Sequence, residues 1–196
     1  MSTDLQRICV KFYTTTGEAV DQTPLIDVFQ DWIRTDRLDE IMIDIADYRH
    51  VPNGPGMMLI CHHTDYALDS AEGERLGLLV QRKQPLAGNV ADRIVAIAQS
   101  GLRFIEALQG DPRVPDGLTF DLSGFEVLSN DRLRVPNTDE GFAAIRGEVE
   151  AAAQRLYGDA DITIERRANH PRARLAVVVR SSATPVLSDL LAAAAA

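Results

Sequence analysis

The order strand, helix, strand, turn, strand is predicted twice along the chain, and no other feature of the sequence constrains the fold as strongly. Residues 8–63 contain the first copy, and the second starts near residue 125 and ends at 181. In each copy the helix is closely followed by an acidic residue and an alternating strand, and then by a loop with a histidine near a proline. A dense apolar strand ends both copies. Because a recurring order of elements indicates a repeat, the pattern supports a hypothesis of internal duplication with two βαββ-like units.

Amphipathic helices are predicted where apolar residues recur at spacings of three and four. The most clearly defined helix starts at Asn89, which can cap it, and runs to Leu108. Thr23 and Thr138 can cap two further helices. We expect the helix that follows Asn89 to bridge the two βαββ-like units.

Alternating or continuous apolar runs predict the strands. They are residues 6–14, 40–46, 57–61 continuing into His62 and His63, 75–82, one or two runs within 118–135, 161–167 and 174–180. We therefore expect an α+β protein with antiparallel or mixed sheets. One continuous sheet with helices on one face is the alternative arrangement, and the sequence pattern does not decide between the two.

A linker is predicted at residues 110–117, where glycine, proline and aspartate are concentrated. It separates an N-terminal βαβββα unit, residues 1–109, from a C-terminal βαββ unit, residues 117–184. Residues 185–196 form an alanine-rich tail. We expect the two units to pack together as one globular protein, because 196 residues can bury a sizeable core.

The charge balance argues against polyanionic partners. The chain has 20 Lys and Arg against 29 Asp and Glu, a formal net charge of −9. This balance opposes binding to phosphate backbones and to anionic bilayers, so we expect neither a nucleic-acid nor a membrane partner. There is no apolar run near the roughly 18 residues of a membrane span and no basic-then-apolar leader. The sequence therefore predicts a soluble, cytoplasmic protein.

The two cysteines predict core packing rather than chemistry. Cys9 and Cys61 each lie within an apolar run, where a free thiol usually behaves as a small buried hydrophobe. No disulfide framework is indicated. Residues 53–56, NGPG, lack the spacing of a phosphate-binding loop and are read as a hairpin loop. We expect no cofactor.

Side chains that can exchange protons are densest around the turn at residues 50–56. His63 and Asp65 share one face if the strand continues through them, and a histidine beside a carboxylate can act as a general base. Asp44 and Tyr66 are placed nearby by the same reasoning, which makes these four residues the candidate catalytic set. In the alternative interpretation they bond backbone, water or a neighbouring arginine.

A metal site is a further alternative at the same turn. His50, His62 or His63, and Asp65 are of the ligand types that zinc or iron prefers. However, neither HExxH nor CxxC spacing occurs, and three or four ligands cannot be nominated. We therefore assign no metal ligands.

The C-terminal hairpin is basic within an acidic protein. Its arginines are Arg166, Arg167, Arg172, Arg174 and Arg180. Such a local reversal of charge can bind an acidic partner, a small anion, or the acidic surface of another copy. The alternative is a charged hairpin that protects a sheet edge.

Taken together, these patterns predict a cofactor-free binding or assembly protein. It would act through a partner surface or a small-ligand cleft, as a homodimer or with another protein, and a small anion is a candidate ligand. The rival hypotheses are an acid/base enzyme that uses His63 and Asp65 near the turn, and a His/Asp metal-binding module.

Overall fold

One eight-stranded antiparallel sheet organises the computed structural model, which describes residues 4–17 and 19–195. The strands are β1 Ile8–Tyr13, β2 Met42–Asp47, β3 Met57–Cys61, β4 Thr64–Asp69, β5 Gly77–Arg82, β6 Gly124–Ser129, β7 Ile162–Arg166 and β8 Ala176–Ser181. Their order in the sheet is β2-β3-β4-β5-β1-β6-β8-β7, with every neighbouring pair antiparallel. The predicted α+β class is therefore confirmed, in the form of one continuous sheet.

Three of the helices in the described ranges pack on one face of this sheet, and the fourth packs against two of them. The helices are α1 Leu25–Thr35, α2 Val90–Gln109, α3 Asp139–Tyr157 and α4 Leu187–Ala195. α2 contacts the central strands β1 and β5, whereas α1 contacts β2 and α3 contacts β7 and β8. Within the described part of the chain, none of the helices combines the length and apolar character that crossing a bilayer requires.

The central helix α2 begins and packs as its sequence predicts. Asn89 and Asp92 form a reciprocal cap, in which each side chain accepts the other residue's backbone N–H at 2.8 Å. At Gly101 the helix lies so close to the sheet that an added Cβ would come within 2.9 Å of Val80 and 3.0 Å of Phe12. The missing side chain therefore allows α2 to lie directly over β1 and β5.

An aromatic cluster forms the core between α1, α2 and the sheet. The ring of Phe104 lies 5.7 Å from Phe29, 5.4 Å from Trp32 and 4.5 Å from Tyr66, measured between centroids. All four side chains are buried. Trp32 is thus a core residue, and Tyr66 faces the helices.

Strand β4 is an element that the sequence pattern missed, as is α4 within the predicted tail. The predicted strand through His62 and His63 was wrong at its end, because β3 stops at Cys61 and the two histidines connect it to β4. β4 carries Asp65 and Asp69 on one face, which gives the segment a polar appearance. Asp69 pairs with Lys11 on β1, and Asp65 pairs with Lys83, which follows β5. Local periodicity cannot reveal such distant partners.

Candidate functional site

The sheet face opposite the helices carries a cluster of charged side chains, here called the open-face cluster. Apolar residues of the central strands surround it, including Cys9, Leu79 and Leu128, which are buried. The cluster consists of Lys11 and Tyr13 from β1, Asp69 from β4, Glu72 from the turn before β5, Glu126 from β6, and Arg167 and Arg174 from the β7–β8 connection.

Lys11 is fully buried near the middle of the sheet. Its Nζ donates to a carboxylate oxygen of Asp69 at 2.9 Å and to the backbone carbonyls of Asp69, Glu72 and Arg75. Burial lowers the pKa of Lys11, and the Asp69 carboxylate opposes that shift. Because the backbone acceptors belong to the turn before β5, this one ammonium group fastens the turn to the sheet.

Glu72 joins that turn to the C-terminal hairpin. Its carboxylate accepts from Arg167 and from Arg174, the latter at 2.6 Å between Nη2 and Oε2. Burial raises the pKa of Glu72, but the hydrogen bonds from Arg174 and Arg167 outweigh it and hold the pKa below its usual value. Residues about a hundred positions apart in sequence are thereby held together by one carboxylate.

Cys9 lies beneath this bridge. The Nη1 of Arg174 is 3.6 Å from its Sγ, and burial raises the pKa of the thiol to about 11. Burial likewise raises the pKa of Cys61 to about 12. Both thiols are free and buried, so neither has the exposure of a reactive cysteine.

Glu126 is the cluster member with unused hydrogen-bonding capacity. Its Oε2 accepts from the Tyr13 hydroxyl at 2.6 Å and from Arg167 Nη1 at 3.1 Å. Among the described residues, its buried Oε1 has no hydrogen-bond partner, and the buried Nε of Arg167 has none either. Burial raises the pKa of Glu126, while Arg167 and Tyr13 oppose the shift. The cluster therefore contains one buried acceptor and one buried donor that have no partner among the described residues.

The cluster borders a half-open cleft of about 240 Å³. Its polar lining comes from Tyr13, Arg75, Asp121, Ser123, Arg167 and Arg180. Gly73 forms part of the wall with a φ of +77°, and a Cβ there would lie 2.2 Å from the Tyr13 hydroxyl oxygen. Only glycine allows the turn to approach this hydroxyl so closely.

Replacing Glu126 with glutamine should change how stability depends on pH. When folding raises the pKa of a carboxyl group, the group stabilises the folded state at pH values below its ordinary pKa of 4.5. This stabilisation is lost as the pH rises through the raised pKa of the folded state. The glutamine variant lacks this titration. We therefore expect it to gain stability relative to the parent chain between mildly acidic and neutral pH, measured by urea unfolding at a series of pH values. Parallel curves for the two proteins would show that Glu126 has no raised pKa.

The structure does not bring the four predicted catalytic residues together. His63 is exposed in the β3–β4 turn, and Asp44 is exposed on the edge strand β2. Asp65 and Tyr66 are adjacent in β4 and point to opposite faces of the sheet. The expectation that His63 and Asp65 share a strand face was wrong, because His63 lies in a turn.

Asp65 and Tyr66 have ordinary structural partners. The Asp65 Oδ1 lies 2.8 Å from Lys83 Nζ, an ion pair whose angles fall outside those of a hydrogen bond. The Tyr66 hydroxyl donates to Glu40 at 3.2 Å, and the backbone N–H of His63 donates to the same carboxylate at 2.6 Å. In the described ranges, no group of three or more His, Cys, Asp or Glu side chains could hold a metal ion, so the metal hypothesis gains no support.

The predicted arginines divide between the interior and the surface. Arg167 and Arg174 join the open-face cluster, and Arg180 lines the cleft while its guanidinium pairs with a glutamate on β7. Arg166 pairs with a carboxylate at the start of α3, at 2.9 Å, and Arg172 is exposed. The structure therefore places three of the five around the cluster and the cleft.

Sequence reasoning missed the carboxylates and the lysine of the cluster. Lys11 and Glu126 each interrupt an apolar strand, ICVKFY and GFEVLS. Because a buried charge is costly unless it is paired, a charged residue within such a strand is the signal that could have identified them. Comparison with protein-family models, with curated proteins and with solved structures gave no match.

Proposed function

We propose that this chain is a binding protein whose ligand is a small anion, a carboxylate or a phosphate group, held in the open-face cleft. The observation that carries the proposal is the charge of the cleft. Its lining has three arginines, Arg75, Arg167 and Arg180, and one carboxylate, Asp121, in a chain with a net charge of −9. Arg167 and Arg180 also pair with glutamates outside the lining, whereas Arg75 has no ion pair among the described residues. A local concentration of guanidinium groups favours an anion.

The unused donor of Arg167 supports this choice of ligand. Its two terminal nitrogens are occupied by Glu72 and Glu126, whereas its Nε–H has no described partner. A buried donor without a partner costs about 1–3 kcal/mol, and an anion oxygen or a water at that position would remove the cost. Carboxylates and phosphates present oxygens of the right kind to a guanidinium group.

The size of the cleft limits what can enter it. Its volume of about 240 Å³ is below the roughly 300–1,000 Å³ of pockets for drug-sized ligands. We therefore infer a ligand of few atoms, or the charged end group of a larger one. The Tyr13 ring supplies an apolar wall and is covered by the Arg75 guanidinium at 4.9 Å from its centroid.

Calorimetric titration of the whole chain with acetate, succinate, inorganic phosphate and a neutral amide tests the proposal. We expect one anion to bind with 1:1 stoichiometry, the neutral amide not to bind, and Arg75→Gln or Arg180→Gln to weaken affinity about tenfold through loss of a charged contact. Arg146→Gln is the matched control, because Arg146 is an exposed residue of α3 on the helical side. Absence of binding by every anion, or equal effects of Arg146→Gln and Arg180→Gln, would exclude the anion site.

The internal duplication is a separate hypothesis, which concerns the evolutionary origin of the two βαββ-like units. The units β1–α1–β2–β3 and β6–α3–β7–β8 have the same order, their first strands are neighbours at the sheet centre, and β2 and β7 form its two edges. The strands β4 and β5 follow the first unit in the sequence, lie between its β3 and β1 in the sheet, and would have no counterpart in the second unit. Superposition of the two units tests the idea, and strands that do not coincide after removal of β4 and β5 would refute it.

A further inference from the structure

The turn between β6 and α3 exposes an apolar side chain that the fold does not use. Leu133 is 98% exposed, compared with 66% for Ile41, the next most exposed large hydrophobic residue among those described. Val135, two positions later, is fully buried. One end of the turn is therefore anchored in the core while Leu133 is presented to solvent.

The turn is held in this conformation by its own hydrogen bonds. The Ser129 hydroxyl donates to the Val135 carbonyl at 3.1 Å, and the Val135 N–H donates to the Asp131 carbonyl at 2.9 Å. The Asp131 carboxylate accepts the N–H of Arg134 at 3.2 Å. A side chain presented by an ordered turn can bind a partner at a lower entropic cost than one on a mobile loop.

Arginines surround Leu133 on a chain that is otherwise acidic. The Leu133 surface, as defined here, comprises Arg7, Arg132, Leu133, Arg134, Pro171 and Arg172. Within residues 4–17 and 19–195, the guanidinium groups of Arg7 and Arg172 have neither an ion pair nor a hydrogen bond. Arg134 donates to the Asp4 carbonyl at 2.9 Å and lies 3.6 and 3.9 Å from the Asp131 and Asp4 carboxylates. The unpaired positive charge of the surface is therefore that of Arg7 and Arg172.

A groove beside Leu133 has room for a polypeptide segment. Its volume is about 510 Å³, and Pro136 and Pro171 form apolar walls. Arg7 and Arg132 line the same groove, with Asp131 as its one carboxylate. The groove contains none of the residues that line the open-face cleft, so the two surfaces are separate.

We propose that the Leu133 surface binds an acidic segment of a partner protein, and that an apolar side chain of this segment packs beside Leu133. Arginine is enriched in protein interfaces because its planar fork pairs with carboxylates and is weakly hydrated. A nucleic acid would use the arginines but has no need of the exposed leucine. An acidic peptide with an apolar residue uses both features.

Fluorescence anisotropy with a labelled peptide tests this proposal. The probe is a short glutamate-rich peptide with a central leucine, and its two controls replace the glutamates with glutamine or the leucine with serine. We expect saturable binding of the first peptide alone. Leu133→Ser and Arg172→Gln should each weaken it about tenfold, as expected for an anchor residue and its charged neighbour.

Two variants outside the surface serve as matched controls. Val186→Ser removes another exposed apolar side chain, and Arg146→Gln removes another exposed arginine, so both should leave binding unchanged. Binding that survives Leu133→Ser, or equal binding of the glutamate and glutamine peptides, would overturn the proposal. So would tighter binding of a single-stranded oligonucleotide, or a dimer in sedimentation that Leu133→Ser dissociates, because either result assigns the surface to a different occupant.

Discussion

Replacing Lys11 with methionine should lower the free energy of unfolding by about 3–5 kcal/mol, the usual cost of removing one partner from a buried ion pair. Lys11 is 0% exposed and Asp69 is 4% exposed, so solvent cannot compensate the carboxylate that remains. Three backbone carbonyls lose the same donor. Urea unfolding followed by circular dichroism measures the loss directly.

Lys83→Met is the matched control for this substitution. Lys83 also pairs with an aspartate of β4, at 2.8 Å, but its side chain is 31% exposed. We expect this variant to lose less than about 1 kcal/mol, as is typical of partly exposed pairs. Equal losses for the two lysine variants would contradict the view that Lys11 holds the turn before β5 on the sheet.

Glu72→Ala should cost about 2–3 kcal/mol of unfolding free energy, because it leaves Arg167 and Arg174 without their shared carboxylate. The cost is smaller than for Lys11, since the Glu72 side chain is 18% exposed and water can solvate part of the site. A second effect should accompany the first. With Arg174 released from its position over the Cys9 thiol, a soluble thiol reagent should label Cys9 faster than in the parent chain.

Glu165→Ala provides the comparison for Glu72. Its carboxylate also pairs with an arginine of the C-terminal hairpin, but both side chains of that pair are about two-thirds exposed. Neither stability nor the labelling rate of Cys9 should change measurably in this variant. If Glu72→Ala behaved like Glu165→Ala, the bridge between the turn and the hairpin would be only a surface contact.

Local patterns were sufficient for elements whose stability is decided locally. The stripe and the cap of α2 define that helix, and the alternation of Ile8, Val10 and Phe12 defines β1. The position of β1 at the centre of the sheet, between β5 and β6, is not a local property. It depends on pairings between segments far apart in the chain, and sequence periodicity carries no information about them.

In the candidate site, too, some features follow from the local sequence and others depend on residues far apart in the chain. The C-terminal arginines were predicted to bind an anion or a partner, and Arg167 does line the cleft. Arg167 is held in place by Glu72, which lies about a hundred residues earlier in the chain, and by Glu126. The histidine turn attracted attention because it is dense in reactive groups, yet His63 and Asp65 do not share a strand face once β3 ends at Cys61. Density of reactive residues along the chain is therefore a poor guide to convergence in space.

The side-chain resonances of the arginines give the most direct test of the anion site. In nitrogen–proton spectra recorded while phosphate or acetate is added, the Nε–H signal of Arg167 should shift and saturate together with those of Arg75 and Arg180. The Nε–H signal of Arg146, which lies on the helical side, should not move. An Arg167 signal that stays fixed while anion is added, or a parallel drift of all four signals, would show that the cleft does not bind the anion.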